Sequence, residues 1–382
     1  MIRAGAFLCL YLVSSVSAFS QSHLVLPFFN LTHDETLNWV GDSSAEWIGD
    51  SLAAQGLIVS QRAERDEIFR RLGLKRRAHL TRASVIKAGL ALDASVVIYG
   101  EYQGSAQELQ FTARVLNLKS LTSAAELSAS GPLNVLATTQ TTLAWEALRV
   151  LAPKQLPSEA DYRASQIGIR TEALESFAKA LEARTDEARI QIFTHASRQD
   201  PRYTPPIFEL GKLYYRRKLW QESALWLTKL DGSAVRFRES MFYLGLARYH
   251  LGDYDAAMQA FRMVSEAIPL SEVFNNLGAA QNRKNDPTAV ESFRKAIEGD
   301  EAEPAYHFNL AYVLMLRGEY DAASKEFRAV LERTPDDVES TQLLGRCLRP
   351  AGPPAVGLER LKTEYQESAY LQLKAILAPA KP

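Results

Sequence analysis

The chain has 382 residues, which suggests two or three domains, and it carries a formal net charge of −1 with 23% charged and 47% hydrophobic residues. That balance excludes a bulk-basic nucleic-acid binder and a disordered acidic tail, and the apolar fraction is that of an ordinary globular protein.

Residues 1–20 read as a secretory signal peptide. Arg3 supplies a positive charge, Ala4 to Val13 is an almost unbroken apolar run, and Val16-Ser17-Ala18 offers small residues for cleavage after Ala18 or Ser20. The run is too short to span a bilayer, and no later run is long enough, so no membrane span is expected after cleavage. Leu8 precedes Cys9 where a lipid-attachment box needs a small residue, so no lipid anchor is expected. Cys347 is then the remaining thiol. Without an internal disulfide, packing has to hold the protein together, and Cys347 itself reads as a small buried hydrophobe.

Residues 21–152 follow a mixed α/β pattern. His23 to Phe29 is a short apolar run expected as a buried strand, Asn38 to Ala54 has helical spacing, and Leu57-Ile58-Val59 is a second strand. Arg62 to Leu74 and Thr81 to Leu92 read as helices, the second with Thr81 as N-cap. Ala94 to Tyr102 and Leu109 to Leu118 read as a hairpin across Gly104-Ser105-Ala106-Gln107. Leu121 to Ala129 is a further candidate strand, and Asn134 to Leu151 a closing helix.

Pro153 and Pro157 bound a stiff linker at 153–157. Beyond it the chain repeats itself. Leu210-Gly211, Leu244-Gly245, Leu277-Gly278, Leu310-Ala311 and Leu344-Gly345 recur at steps of 34, 33, 33 and 34 residues. In the same frame Ala257 and Phe261, Ala289 and Phe293, and Ala323 and Phe327 sit four apart, with Pro269 and Pro335 closing two units. A period of this length means stacked helical hairpins, each with too little surface to fold alone. Small residues at 245, 278 and 311 let paired helices approach, and a Phe fills the gap beside them. We count about six units over 158–366, the first (Thr171–Tyr203) and the last degenerate, with 367–382 as a capping helix and tail.

Two resemblances follow from these residues. The Leu-Gly, Ala-x3-Phe, Pro spacing resembles the tetratricopeptide repeat, a family of superhelical binding scaffolds. Leu26-Pro27-Phe28-x-Asn30, Asp34, Trp39, Gly41-Asp42, Glu46, Gly56-Leu57-x-Val59, Arg62 and Val96-Val97-Ile98-Tyr99-Gly100 resemble the TolB-type amino-terminal domain over residues 23–120. That domain also precedes tetratricopeptide arrays and occurs in outer-membrane assembly factors. The likeness implies an interaction domain with no catalytic residues to carry over, and by analogy a bacterial periplasm. The expected fold class is therefore α+β overall, an α/β domain with a mixed sheet followed by an all-α superhelical solenoid.

No phosphate loop, nucleophile elbow or metal-spaced Cys or His pair is present. His33-Asp34-Glu35 is better read as a turn than as a ligand cluster, and Asp42 and Asp50 as helix-flanking acids. No enzyme activity, cofactor or metal is expected. The tetratricopeptide resemblance implies that first-helix positions line a concave groove for extended peptides. The frame maps these onto Lys212, Tyr215, Arg216, Phe242, Tyr249 and His250, then Asn275, Asn282, Arg283 and Tyr312, and last Gln342, Arg346 and Arg349. Aromatic and Arg side chains are the usual interface anchors. A second candidate is the basic run Arg62, Arg65, Arg70, Arg71, Lys75, Arg76, Arg77, Arg82 and Lys87, which could face an anionic envelope component. The expected protein is an exported, periplasmic or secreted, non-enzymatic scaffold for a protein or peptide partner, with no nucleic acid. Alternatives are a structural subunit of a cell-envelope assembly, or a ligand-sensing or enzymatic amino-terminal domain with a deep polar pocket near Asp34 and Asp42.

Overall fold

The computed structural model describes residues 22–153, 156–166, 168–349 and 359–377. The leader at 1–20, linker residues Lys154 and Gln155, the Pro350–Pro354 break and residues 378–382 lie outside the described residues.

The amino-terminal domain runs β1 (Ser22–Val25), β2 (Phe29–Asn30), α1 (Trp39–Ala54), β3 (Ile58–Val59), α2 (Arg62–Arg71), α3 (Arg82–Ala91), β4 (Val96–Ser105), β5 (Glu108–Asn117), β6 (Thr122–Gly131) and α4 (Leu136–Leu151). The sheet order is β3-β1-β4-β5-β6, with β2 also pairing β4. β1 runs parallel to β3 and β4, and β4, β5 and β6 form an antiparallel meander. The sheet is therefore mixed, as expected. Side chains alternate between its faces: Val25, Val96 and Ile98 pack on α1 and α4, while Leu24, Leu26 and Val97 pack on α2 and α3. The single strand expected over His23–Phe29 instead breaks around Pro27, which cannot donate to a ladder. α1 crosses at that break, where a Cβ on Gly41 would collide with the Phe28 carbonyl.

After α5 (Glu159–Ser165) come five helical hairpins: α6 (Thr171–Glu182) with α7 (Asp186–Gln199), α8 (Pro205–Arg216) with α9 (Trp220–Leu227), α10 (Phe237–His250) with α11 (Tyr254–Ala267), α12 (Ser271–Arg283) with α13 (Ala289–Gly299), and α14 (Pro304–Leu316) with α15 (Tyr320–Arg333). α16 (Val338–Leu348) follows as a sixth first helix, with no paired second helix among the described residues. A Cβ at Gly245 would lie 2.6 Å from the Phe261 ring, and one at Gly278 2.8 Å from Phe293, so the small-residue rule holds at both. Each hairpin turn from the second to the fifth places one residue in the left-handed region: Lys218, Gly252, Asn285 and Gly318.

The two halves share a core. Phe177, Phe193 and Leu210 of the first hairpins belong to the same buried cluster as Ile48, Leu143 and Val115 of the α/β domain. The carboxyl-terminal segment departs from expectation. It does not cap the open end of the array. Residues 359–366 are extended and run back along the concave face, and α17 (Glu367–Leu377) then lies against β3. An extended chain can satisfy its backbone groups only where neighbours supply donors and acceptors, and the groove supplies them.

Candidate functional site

Two asparagines in equivalent places hold the segment. Asn276 and Asn309 each immediately precede the Leu-Gly or Leu-Ala pair of their helix. Asn309 Nδ2 donates to the Arg360 carbonyl at 2.9 Å, and its Oδ1 accepts the Arg360 N–H at 2.8 Å. Asn276 does the same for Lys362, donating at 2.8 Å and accepting at 2.9 Å. Asn275 adds a donor to the Arg360 carbonyl at 2.9 Å and accepts from Asn309 at 2.7 Å. All three side chains are fully buried, where an unpaired amide would be costly. The segment runs opposite to the repeat order, from α14 towards α12 and α10.

Its side chains are read separately. The Glu359 side chain, only 1% exposed, accepts from Asn282 Nδ2 at 2.7 Å and pairs with Arg283 at 2.9 Å, and the Tyr249 hydroxyl donates to it at 3.3 Å. Arg360 pairs with Asp337 at 2.6 Å and Glu339 at 3.0 Å, and its guanidinium lies 3.5 Å from the centre of the Phe308 ring. The Arg360 hydrogen bonds hold the Asp337 carboxyl down at about 2. Lys362 pairs with Glu303 at 2.7 Å. Tyr365 packs on Phe242 with ring centres 5.5 Å apart, the Gln366 N–H donates to Glu272 at 2.8 Å, and Arg238 Nε donates to Glu367 at 2.9 Å.

The expected groove positions therefore divide. Phe242, Tyr249, Asn275, Asn282 and Arg283 converge on the segment. Lys212 is spent on Glu239 at 2.8 Å, and Tyr215 and His250 stack with Trp220. Tyr312 is buried, with its ring stacked on Phe308. Arg216, Gln342, Arg346 and Arg349 are exposed, and among the described residues no hydrogen bond or ion pair joins them to the segment. Asn276, Asn309, Glu303, Asp337 and Glu339 were missed. An Asn directly before the Leu-Gly or Leu-Ala pair, occurring twice, is the signal that could have found the first two.

The basic run does not form one free face. Arg62 and Arg65 turn inward onto Glu46 at 3.1 and 2.6 Å, and Arg65 also donates to the Val25 carbonyl at 3.0 Å. Burial alone would raise the Glu46 carboxyl, but Arg65 and Arg62 hold it at about 2. Arg70 pairs with Glu67, Arg76 with Asp66 and Arg77 with Glu182, while Arg82 donates to the Leu121 carbonyl. Arg71, Lys75 and Lys87 have no ion pair among the described residues. Glu46 of α1, acids interleaved on α2 and Glu182 from the repeats thus pair with five of the nine cations.

Near Asp34 and Asp42 an open cleft is lined by Asn30, His33, Glu35, Asn38, Arg76 and Arg77. Its acids serve the fold: Asp34 accepts from Thr36 N at 2.9 Å to cap a short turn, and Asp42 faces Arg62 at 3.5 Å. Cys347 is buried, and burial pushes its thiol up. No helix among the described residues is long and apolar enough to cross a membrane.

Fold and groove together define a helical-repeat scaffold with an α/β domain fused at its amino end. The repeats are tetratricopeptide repeats: family profiles described by that name match residues 280–349 and 239–271. Both matches lie in the array, and the TolB-type likeness rests on its motifs alone. No curated protein matches the chain in sequence. Among solved structures, a MamA protein is 17% identical over 48% of this chain and 96% of its own, with a TM-score of 0.39. YrrB, described as a tetratricopeptide protein with an unusual peptide-binding site, is 18% identical over 48% of this chain and 90% of its own, with a TM-score of 0.37. The first repeat domain of Spaghetti (RPAP3), solved with an HSP90 peptide, is 18% identical over 29% of this chain and 90% of its own, with a TM-score of 0.29.

Proposed function

We propose that this protein is an exported, non-enzymatic scaffold that holds an extended segment of a partner protein in the groove of α10, α12 and α14. The observation that carries the reading is the paired grip of Asn276 and Asn309 on alternate backbone units of an extended chain. Each amide offers a donor and an acceptor to one residue, as a neighbouring β-strand would, and this recognises a backbone whatever its side chains. The leader-like residues 1–20 support export to the periplasm or beyond. The test is site-specific photocrosslinking in the full chain, with the crosslinker at Phe242, on which Tyr365 packs, in envelope extract. A defined protein captured there, and lost with Asn276→Ala and Asn309→Ala, supports the reading; identical capture by both chains rejects it.

One observation favours a second reading, in which the repeats serve the architecture of an envelope assembly: the groove is filled by the chain itself. A tight oligomer on native mass measurement, unchanged by the same two substitutions, would support that reading.

A further inference from the structure

The segment in the groove is held differently from everything around it. Phe261, Phe293 and Phe327 are sealed inside their hairpins, whereas Leu361 and Tyr365 are only partly buried against the array. The rest of its hold is polar: backbone bonds to asparagines, and ion pairs from Glu359, Arg360, Lys362 and Glu367. Glu359 apart, these ion pairs are partly exposed, and such pairs contribute little singly. Any chain offering the same backbone and charges makes the same contacts.

We infer that residues 359–367 are an intramolecular pseudo-ligand, and that the partner which replaces them carries the same chemistry: an acidic side chain, an arginine directly after it, a lysine two residues on and an aromatic three further. This rests on the groove reading above. The acid enters a closed site of Tyr249, Asn282 and Arg283, where the Glu359 carboxylate is almost wholly buried and each of its oxygens has a partner. The arginine enters a site with two carboxylates on one side and an aromatic face on the other, which suits a planar cation. Glu303 marks the lysine and Phe242 the aromatic. An acidic peptide without the two cations would leave Glu303, Asp337 and Glu339 facing it, and is rejected.

A covalently joined occupant competes at an effective concentration of roughly millimolar. A free segment with no better contacts is therefore shut out at micromolar concentration, and the groove opens to a partner that adds contacts or draws the strap away. Departure reaches further than the groove. α17 continues from the strap and, with Glu367, Ser368 and Leu371, walls a cavity of about 180 Å³ beside β3, the edge strand of the sheet. An uncovered strand edge is itself a pairing surface.

The experiment measures binding of a fluorescein-labelled synthetic peptide of residues 359–367 to the full chain by fluorescence polarisation. Three chains are compared: the natural chain, Glu359→Ala with Arg360→Ala, and that chain with Asn276→Ala and Asn309→Ala added. Weakening the strap should tighten peptide binding by about tenfold or more, and the asparagine substitutions should abolish it. Tyr365→Ala, which breaks no groove ion pair, should tighten it by about threefold and covers the case where the first variant does not fold. A peptide with glutamates at positions 360 and 362 should not bind; equal binding would overturn the recognition pattern. Equal affinity of the natural and strap-weakened chains would overturn the competition while leaving the groove reading intact. A folded strap-weakened chain that does not bind the peptide would overturn both.

Discussion

The two ends of the groove place side chains in the same helical phase and use them differently. Around α8 and α10, Tyr215, Tyr243 and His250 pack with one another and with Trp220 of α9, and Lys212 is neutralised by Glu239. In α12 and α14 the floor presents asparagine amides with no exposure at all, and these take their partners from another part of the chain. Phase decides which way a side chain points, whereas its neighbours decide whether anything is left for a ligand. Clustered aromatics satisfy each other by contact. A buried amide needs a donor and an acceptor, and an extended backbone supplies both.

That comparison can be broken or sharpened, beginning with the largest expected effect. Gly278→Leu should destabilise the full chain by about 1–3 kcal/mol through overpacking on Phe293. Gly345→Leu, in the same frame but with open space around it, should stay within about 0.5 kcal/mol. Equal thermal melts for the two would mean that the repeat frame does not govern packing. Asn309→Ala removes both bonds to Arg360 and should cost about 1–3 kcal/mol of strap docking. Faster hydrogen exchange at the Arg360 and Lys362 amides would show it, while Arg346→Ala should leave those amides unchanged.

Acid should act on the strap in a defined direction. Asp337 is held at about 2, below its ordinary 3.8. A depressed carboxyl contributes stability above its unfolded value and loses it as pH falls through the folded one. Strap protection should therefore persist to about pH 4 and fade towards pH 2. Asp50 behaves in the opposite sense at the seam between the halves. Burial pushes it up to about 6, with Arg236 opposing, so its contribution is full below about pH 4 and lost as pH rises through 6. Asp50→Asn should raise the melting temperature at pH 7 and leave it unchanged at pH 4. The smallest effect expected is at Lys218, which sits in the left-handed slot that Gly252 and Gly318 occupy in other turns. Lys218→Gly should stabilise the chain by up to about 1 kcal/mol in a denaturant melt.

Much of this molecule is legible in its residues. The Leu-Gly steps and the Phe beside them announce the hairpins, because close approach of two helices in one hairpin is a local matter of small and large side chains. The unbroken apolar run Val96-Val97-Ile98 fits a strand covered on both faces. The tetratricopeptide resemblance implies groove positions that include Phe242, Tyr249, Asn275, Asn282 and Arg283, and these five lie against residues 359–366. What helix phase does not show is engagement by other parts of the fold: Tyr215 packs with Trp220 and Tyr243, and Arg77 pairs with Glu182, 105 positions away. The strap shows the limit most clearly. Nothing in Glu359-Arg360-Leu361-Lys362 signals an extended conformation, and residues 367–382 read as a capping helix and tail at the end of the array. Its shape is set by amides 51 and 86 residues distant along the chain. The sequence by itself determined the repeat, its period and the α/β pattern, since these follow from neighbours within a turn or a strand. Only the tertiary structure decided that the groove holds its own carboxyl-terminal segment, because an extended chain has no internal partners and takes its conformation from the surface that receives it.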